Sequence, residues 1–196
     1  MLFRSGPIGT TFPGVITQGV VRTTANMDSS WTDVSLFDTL TPTLPGLVAT
    51  INDADAAGLA EVRYGAGEDR DGLICMVTLG TGIGTALIYD GVLIPNAELG
   101  HLELDGHDAE SRASAAARER RDMTWEKWAG KVQRYLRHLE TVLWPDLFII
   151  GGGVSKRPEK WFDLIETRTP KVIATLVNNA GIVGAALAAA TAQPAR

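Results

Sequence analysis

The sequence is poor in the residues that build disulfides, zinc sites and membrane anchors. Its 196 residues include one cysteine, Cys75, so an internal disulfide and a cysteine-based zinc site are both excluded. No apolar run reaches the roughly 18 residues that a membrane-spanning helix needs. The first six residues contain one arginine and no apolar core, unlike a secretory signal. These features predict a protein of the reducing cytoplasm with no membrane partner.

Basic residues are scarce in the first half of the chain. Residues 1–111 contain 4 arginines and no lysine against 15 acidic residues, whereas residues 112–196 contain 14 basic residues against 8 acidic ones. The formal net charge is −5, and we expect no nucleic-acid partner. A basic half in an acidic protein is typical of a site for another polyanion. The alternative is that the basic side chains only form the solvated faces of helices: Arg118, Arg120, Arg121, Lys127, Lys131, Arg134 and Arg137.

Strand-like and helix-like segments alternate along the chain, which predicts an α/β layered fold. The hydrophobic share of 45% is that of a folded globular protein. Asp90-Gly91 is a strong signal for a hairpin turn. The predicted strands are Ile8–Phe12, Val15–Val21, Leu47–Ile51, Leu73–Leu79, Thr85–Tyr89, Val92–Ile94 and Leu147–Ile150. The predicted helices are Asp53–Tyr64, Thr124–Leu143 and a small-residue helix at Ala180–Ala190.

A glycine-rich segment, LGTGIG at 79–84, lies between two predicted strands. Glycines let the backbone approach an anion closely, and the hydroxyl of Thr81 can hold a phosphate oxygen. A P-loop or a dinucleotide-binding loop would be followed by a helix. The strand that follows here instead favours a phosphate-binding hairpin, and an ordinary glycine-rich hairpin is the alternative.

Two polar segments supply candidate catalytic and ligand-binding groups. Asn52 and Asp53 stand between a predicted strand and a helix, at the end of the sheet where α/β folds bind ligands. Such an aspartate can take the proton from a hydroxyl that attacks a phosphoryl group, although simple helix capping is the alternative. Between Glu98 and Glu110, carboxylates and the imidazole of His101 crowd into 13 positions. This composition suits a polyhydroxyl ligand better than a metal, with a solvated acidic turn as the alternative.

Five motifs stand in the order found in the ROK family of sugar kinases, which the chain resembles from about Pro7 to Ala190. They are TTFPG at 10–14, NDAD at 52–55, LGTGIG at 79–84, ELGH at 98–101 and IGGGVS at 150–155. The resemblance is strongest to the polyphosphate glucokinases of that family, including the glucomannokinase type, which also lack the cysteine-rich zinc motif of other members. It implies the α/β fold of actin-like ATPases and sugar kinases, which is ribonuclease H-like.

The resemblance also implies an activity and the residues that perform it. The activity is that of a polyphosphate–glucose phosphotransferase, which phosphorylates the 6-hydroxyl of glucose with inorganic polyphosphate or ATP and Mg²⁺. Mannose is a second candidate sugar, a homodimer is expected and zinc is not. The resemblance places the general base at Asp53. It places sugar contacts at Asn26, Asn52, Asp53, Glu98, His101 and Glu110, and phosphate or nucleotide contacts at Gly80, Thr81, Gly82, Gly84, Gly152 and Gly153.

One family element does not occur in the sequence. ROK proteins open with a strand and a phosphate loop of the form Asp-x-Gly-Gly-Thr, which is absent from these 196 residues. We therefore expect residues 1–52 to be the remnant of an N-terminal lobe that lacks most of its first strands, and residues 53–196 to form the C-terminal lobe. This chain is then expected to bind glucose weakly and to show kinase activity near background.

Two other hypotheses stay open. One is a sugar-binding regulator of the ROK type, which the presence of Asp53 disfavours. The other is a non-catalytic fragment that only binds or assembles.

Overall fold

The structure is a computed structural model that describes residues 6–24 and 27–192. It has the α/β layered architecture that the sequence predicts. The strands are β1 (Ile8–Phe12), β2 (Ile16–Thr17), β3 (Val20–Val21), β4 (Leu47–Asn52), β5 (Leu73–Leu79), β6 (Ile83–Tyr89), β7 (Val92–Ile94), β8 (Glu103–Leu104), β9 (His107–Asp108), β10 (Leu147–Gly151) and β11 (Lys171–Ile173). The α-helices are α1 (Leu36–Leu40), α2 (Asp53–Tyr64), α3 (Glu110–Ala113), α4 (Ala115–Arg120), α5 (Trp125–Leu143) and α6 (Ala180–Thr191).

A five-stranded sheet with the order β11-β10-β5-β6-β7 forms the centre of the molecule. Strand β10 runs parallel to both β5 and β11, whereas β5, β6 and β7 are antiparallel. Strand β10, between β11 and β5, is buried at every position, as its continuous apolar sequence requires. Asp90 and Gly91 have φ values of 48° and 79° between β6 and β7, which confirms the predicted hairpin.

Helix α5 covers one face of this sheet. Its buried residues recur every three or four positions and form a single apolar stripe. In the core, Trp128, Val132 and Leu136 join Val77 of β5 and Phe148 of β10. The helix ends at Leu143, because Trp144 adopts a left-handed conformation and Pro145 follows. The predicted bounds of this helix are confirmed to within one residue.

Helices α2 and α6 cover the opposite face of the sheet and separate it from the parallel pair β1–β4. Small side chains let these layers approach closely. A Cβ atom at Gly184 would overlap the carbonyl of Ala56 in α2, and one at Gly9 would overlap the carbonyl of Ala185. The alanine- and glycine-rich sequence of α6 is therefore used for tight packing, as predicted.

The prediction of one strand over Val15–Val21 is wrong. Gln18 and Gly19 have φ values of 53° and 76°, so the chain turns there and forms the short antiparallel pair β2–β3. The division into a lobe remnant at 1–52 and a second lobe at 53–196 stays a prediction. Helix α6 of the second predicted part packs against β1 and β4 of the first. In the part of the chain that the structure describes, no helix has the length and apolar character needed to cross a membrane.

Candidate functional site

A cavity of about 310 Å³ lies where β4 runs into α2, opposite the β5–β6 turn and the start of α3. It brings together the predicted site residues from five separate segments. Among those residues Gly153 does not line the cavity, although it directly follows the lining residue Gly152, and Asn26 lies outside the described residues. The predicted residues that line the cavity are Asn52, Asp53, Gly80, Thr81, Gly82, Gly84, Glu98, His101, Glu110 and Gly152.

Asn52 is the N-cap of α2 and is almost fully committed to that role. Its side-chain oxygen accepts hydrogen bonds from the backbone N–H groups of Ala54 (2.8 Å) and Asp55 (3.1 Å). Its amide nitrogen donates to the carbonyl of Gly14 at 3.1 Å. Since an amide nitrogen carries two protons, one remains for a ligand. The capping alternative therefore holds for Asn52, and a sugar contact from this side chain is restricted to that proton.

Asp53 is the first residue of α2 and faces the cavity. Its carboxylate accepts a hydrogen bond from the N–H of Ala54 at 2.8 Å, at the positive end of the helix dipole. The surrounding protein still desolvates the carboxylate, and this desolvation raises its pKa. An aspartate with a raised pKa accepts a proton more readily than an ordinary one. The position of Asp53 and the direction of its pKa shift are therefore compatible with the predicted role of general base.

The loop that carries Glu98 and His101 is fixed to the glycine-rich hairpin. The hydroxyl of Thr85 in β6 donates to the carbonyl of Ala97 and accepts from the N–H of Leu99 at 3.1 Å. Gly100 packs so closely on β6 that a Cβ atom there would overlap the carbonyl of Ile83. The glycine of the ELGH motif is therefore needed for packing, and this packing holds both polar side chains at the cavity wall.

His101 is oriented by a partner that the sequence analysis did not identify. Its Nδ1 donates to Asp108 Oδ2 at 2.9 Å, and its Nε2 lies 3.8 Å from Glu98 Oε2. The hydrogen bond to Asp108 raises the pKa of His101. The pKa of Glu98 is also raised, chiefly because its carboxylate is partly desolvated. With Nδ1–H held by Asp108, a neutral His101 presents Nε2 as an acceptor, and a protonated one presents it as a donor.

Glu110 connects the candidate sugar site to the glycine-rich hairpin. Its carboxylate accepts a hydrogen bond from the N–H of Ile83 at 2.8 Å. It lies against Gly82, where a Cβ atom would overlap the carboxylate oxygen. The second glycine of the hairpin thus makes room for Glu110. Any ligand that displaces this carboxylate will also disturb the hairpin backbone.

The hairpin and the segment after β10 form the other wall of the cavity. The N–H of Gly80 donates to the carbonyl of Gly82 at 2.9 Å, which makes a tight turn with Thr81 exposed at its tip. Gly152 has a φ of 85° and a ψ of −175°, and a Cβ atom there would overlap the backbone of Leu79. Two glycine-rich segments therefore place bare backbone along one side of the cavity, as phosphate groups require.

A second network, also absent from the sequence analysis, supports the start of α2. Asp55 is 1% exposed and accepts a hydrogen bond from the N–H of Asn96 at 2.8 Å. The side chain of Asn96 pairs with both backbone groups of Ile16, at 3.0 and 2.9 Å. Desolvation raises the pKa of Asp55 to about 6, and the charges of Glu98 and Asp53 act in the same direction. Asp55 in α2 therefore holds Asn96 in the loop after β7, and Asn96 in turn holds strand β2, behind the cavity.

Within the described residues, no three histidine, cysteine or carboxylate side chains converge as a metal site. Those residues do not form a metal cage of their own. Mg²⁺ in phosphoryl-transfer enzymes is usually held through one or two carboxylates together with the phosphates of the donor. The site thus offers separate carboxylates to such an ion and no complete ligand set.

Comparisons with known proteins identify close relatives. Residues 3–117 match the sequence model of the ROK family. A polyphosphate glucokinase of Mycobacterium tuberculosis is 56% identical over 184 residues, which is 93% of this chain and 69% of that protein. The polyphosphate glucokinase of Mycobacterium leprae is 52% identical and matches 94% of this chain over 57% of its own length. The crystal structure of an inorganic polyphosphate/ATP-glucomannokinase from Arthrobacter sp. strain KM has a TM-score of 0.90 at 54% identity, over 94% of this chain and 73% of that one.

Proposed function

Because this chain belongs to the ROK family, we propose that it phosphorylates glucose at the 6-hydroxyl with inorganic polyphosphate or ATP. Relatives that share more than half of its residues include polyphosphate glucokinases and a polyphosphate/ATP-glucomannokinase. The observation that carries the proposal is the convergence on one cavity of a helix-start carboxylate, a group of polar side chains suited to hydroxyls, and a glycine-rich hairpin suited to phosphates.

Glucose would bind between Glu98, His101 and Glu110. Carboxylates accept hydrogen bonds from vicinal hydroxyls, and the imidazole Nε2 can accept or donate. The remaining proton of the Asn52 amide adds one donor on the side of α2. Because Asp108 and the Ile83 N–H hold His101 and Glu110 in place, little side-chain entropy is lost when the sugar binds.

Asp53 would take the proton from the 6-hydroxyl as its oxygen attacks the terminal phosphorus of the donor. A new bond forms between that oxygen and phosphorus, while the bond from phosphorus to the bridging oxygen of the donor breaks. The products are glucose 6-phosphate and a polyphosphate shortened by one unit, or ADP. The bare backbone of Gly80–Gly84 would hold the phosphates during the transfer, which depends mainly on positioning and electrostatic stabilisation.

We also propose several finer points that follow from the family resemblance. Mg²⁺ would arrive with the phosphates of the donor, and mannose is a second candidate substrate. The protein would act in the cytoplasm, in agreement with a single, buried cysteine. A homodimer would use apolar residues that are exposed along the sheet edge, where Val92 is 69% and Ile94 is 48% exposed on β7.

The decisive experiment measures formation of glucose 6-phosphate by the purified chain, first with polyphosphate and then with ATP. Calorimetric titration with glucose runs in parallel. Sugar-dependent transfer from either donor supports the proposal, even at a low rate. Glucose binding without any transfer favours the sugar-binding regulator or the non-catalytic fragment. If the chain shows no glucose binding and no transfer, all sugar-directed functions are rejected.

A further inference from the structure

A second cavity, of about 250 Å³, lies on the far side of α3 from the candidate active site. Ala109 lines this cavity, whereas its neighbour Glu110 lines the first one. Arg112, two residues further along α3, points into the second cavity, since residues two apart lie on opposite sides of a helix. Helix α5 supplies the other wall through Lys131, Arg134 and Tyr135, which are spaced to share one face.

The cavity carries more positive charge than its own residues neutralise. Arg134 forms an ion pair with Asp105. Within the described residues, Arg112 and Lys131 form no ion pair. The pKa of Asp105 is lowered, first by the hydrogen bond from Arg134, with Lys131 and His107 contributing through their charges. These groups therefore act on one another, and two of the three basic side chains that line the cavity have no ion-pair partner among its lining residues.

The cavity is also lined by two residues that hold unsatisfied polar atoms. Nε of Arg112 and the hydroxyl of Tyr135 are buried and have no hydrogen-bond partner among the described residues. Tyr135 is only 1% exposed, so its hydroxyl is well removed from bulk water. Buried donors are nearly always satisfied in folded proteins, and each exception needs an explanation. Both donors belong to residues that line the positively charged cavity, and an anion held there would supply the acceptor that they lack.

We infer that this cavity, bounded by Arg112, Lys131, Arg134 and Tyr135, is a binding site for a phosphate group. The guanidinium fork of arginine and the ammonium of lysine are the side chains that bind phosphate oxygens best. A phosphate dianion would match the two unpaired cations, whereas a single carboxylate would leave one of them unpaired. The volume is below the usual range of about 300–1,000 Å³ for drug-sized ligands, so the cavity suits a phosphate or a short phosphate segment rather than a nucleotide.

The test is calorimetric titration of the 196-residue chain with orthophosphate, tripolyphosphate and glucose 6-phosphate, in about 0.15 M NaCl to screen non-specific attraction. Arg112→Gln and Lys131→Gln each remove one unpaired charge from the cavity. Lys127→Gln is the matched control, because Lys127 is exposed one turn earlier on α5 and does not line the cavity. Circular dichroism checks that each variant is folded.

We expect both cavity variants to weaken binding of at least one of the three ligands by about tenfold or more. Lys127→Gln should bind like the parent chain. Tighter binding of tripolyphosphate would identify a polyphosphate segment as the ligand. Equal affinity for all three would identify free phosphate, and tighter binding of glucose 6-phosphate would identify a phosphate ester. The inference would be overturned if both cavity variants bound the ligands as tightly as the parent chain, or if Lys127→Gln lost as much affinity as the cavity variants. It would also be overturned if the parent chain showed no saturable binding. Because no turnover is measured, these outcomes are separate from the test of the proposed kinase activity.

Discussion

Two neighbouring polar residues at the start of α2 have different tasks. Asn52 uses its side-chain oxygen and one amide proton to hold the backbone, so its contribution is mainly structural. Asp53 receives one local hydrogen bond and faces the cavity with a raised pKa. The helix needs only one N-cap, and Asn52 fills that position, which leaves the carboxylate of Asp53 available for chemistry.

Replacement of Asp53 by asparagine should abolish phosphoryl transfer while glucose affinity stays within about tenfold. The amide keeps the shape and the hydrogen-bonding capacity of the side chain but cannot accept the hydroxyl proton, and loss of a general base costs about 10²–10⁴ in rate. Turnover comes from a glucose 6-phosphate assay and affinity from calorimetry on the same preparation. Transfer at the parental rate would remove Asp53 from the role of base.

Replacement of Asp108 by asparagine should lower the pKa of His101. Asp108 raises that pKa through its hydrogen bond to Nδ1, and an amide supplies no compensating charge. A raised folded-state pKa means that the pair stabilises the fold fully below the ordinary histidine pKa, and that this contribution is lost as pH rises through the folded-state value. NMR titration of the His101 ring measures the shift, with His138 on α5 as the internal reference. An unchanged titration midpoint of His101 in the variant would show that Asp108 does not control the pKa of this histidine.

Among the larger elements, the segment after β10 shows how a backbone conformation positions a binding wall. Gly152 has a φ and ψ combination that is essentially restricted to glycine, and it lies against the backbone of Leu79. Gly153 has no atom within 4 Å of where its Cβ would be. A side chain is therefore excluded at Gly152 but has room at Gly153, although both glycines occur in the same motif.

Gly152→Ala should destabilise the protein by about 3 kcal/mol or more, because it adds backbone strain of about 1–3 kcal/mol to a steric overlap with β5. Gly153→Ala should cost at most about 1 kcal/mol. Urea denaturation followed by circular dichroism gives both values. Equal stability losses in the two variants would contradict the structural difference between these glycines.

The elements themselves could largely be predicted from the sequence, because each carries a local signal. The apolar run Leu147–Ile150 predicts a buried strand, and the stripe that includes Trp128 and Val132 predicts an amphipathic helix. The connections between elements carry no such signal. Asn96 bonds Ile16 across 80 positions, and Asp108 reaches His101 only because β8 and β9 fold into a hairpin. Side-chain pairs of this kind depend on the tertiary fold, so Asp55 and Asp108 could not be assigned in advance.

At the scale of the whole molecule, opposite charges are segregated along the chain, and the two halves supply most of the charged side chains of different cavities. The acidic first half supplies Asp53, Glu98 and Glu110 to the candidate active site. The basic second half supplies α5, where Lys131 and Arg134 line the cavity behind α3 and Arg137 lines an adjoining groove. Not every predicted basic residue is free for a ligand. The guanidinium of Arg118 lies 4.0 Å from the centre of the Trp125 ring and donates to the carbonyl of Met123.

This segregation leads to a prediction about the phosphoryl donor. If the basic surface of α5 guides polyphosphate, the KM for polyphosphate should rise with salt more steeply than the KM for ATP, because a longer polyanion makes more contacts that salt can screen. Steady-state assays between about 0.05 and 0.3 M NaCl measure both slopes. Replacing Lys131 and Arg134 together by glutamine should flatten the polyphosphate slope and leave the ATP slope unchanged, whereas Lys127→Gln should alter neither. Equal salt dependence for the two donors in the parent chain would instead assign these side chains to the solvated face of α5. The electrostatic asymmetry would then serve solubility, and donor choice would rest on the glycine-rich walls of the active-site cavity alone.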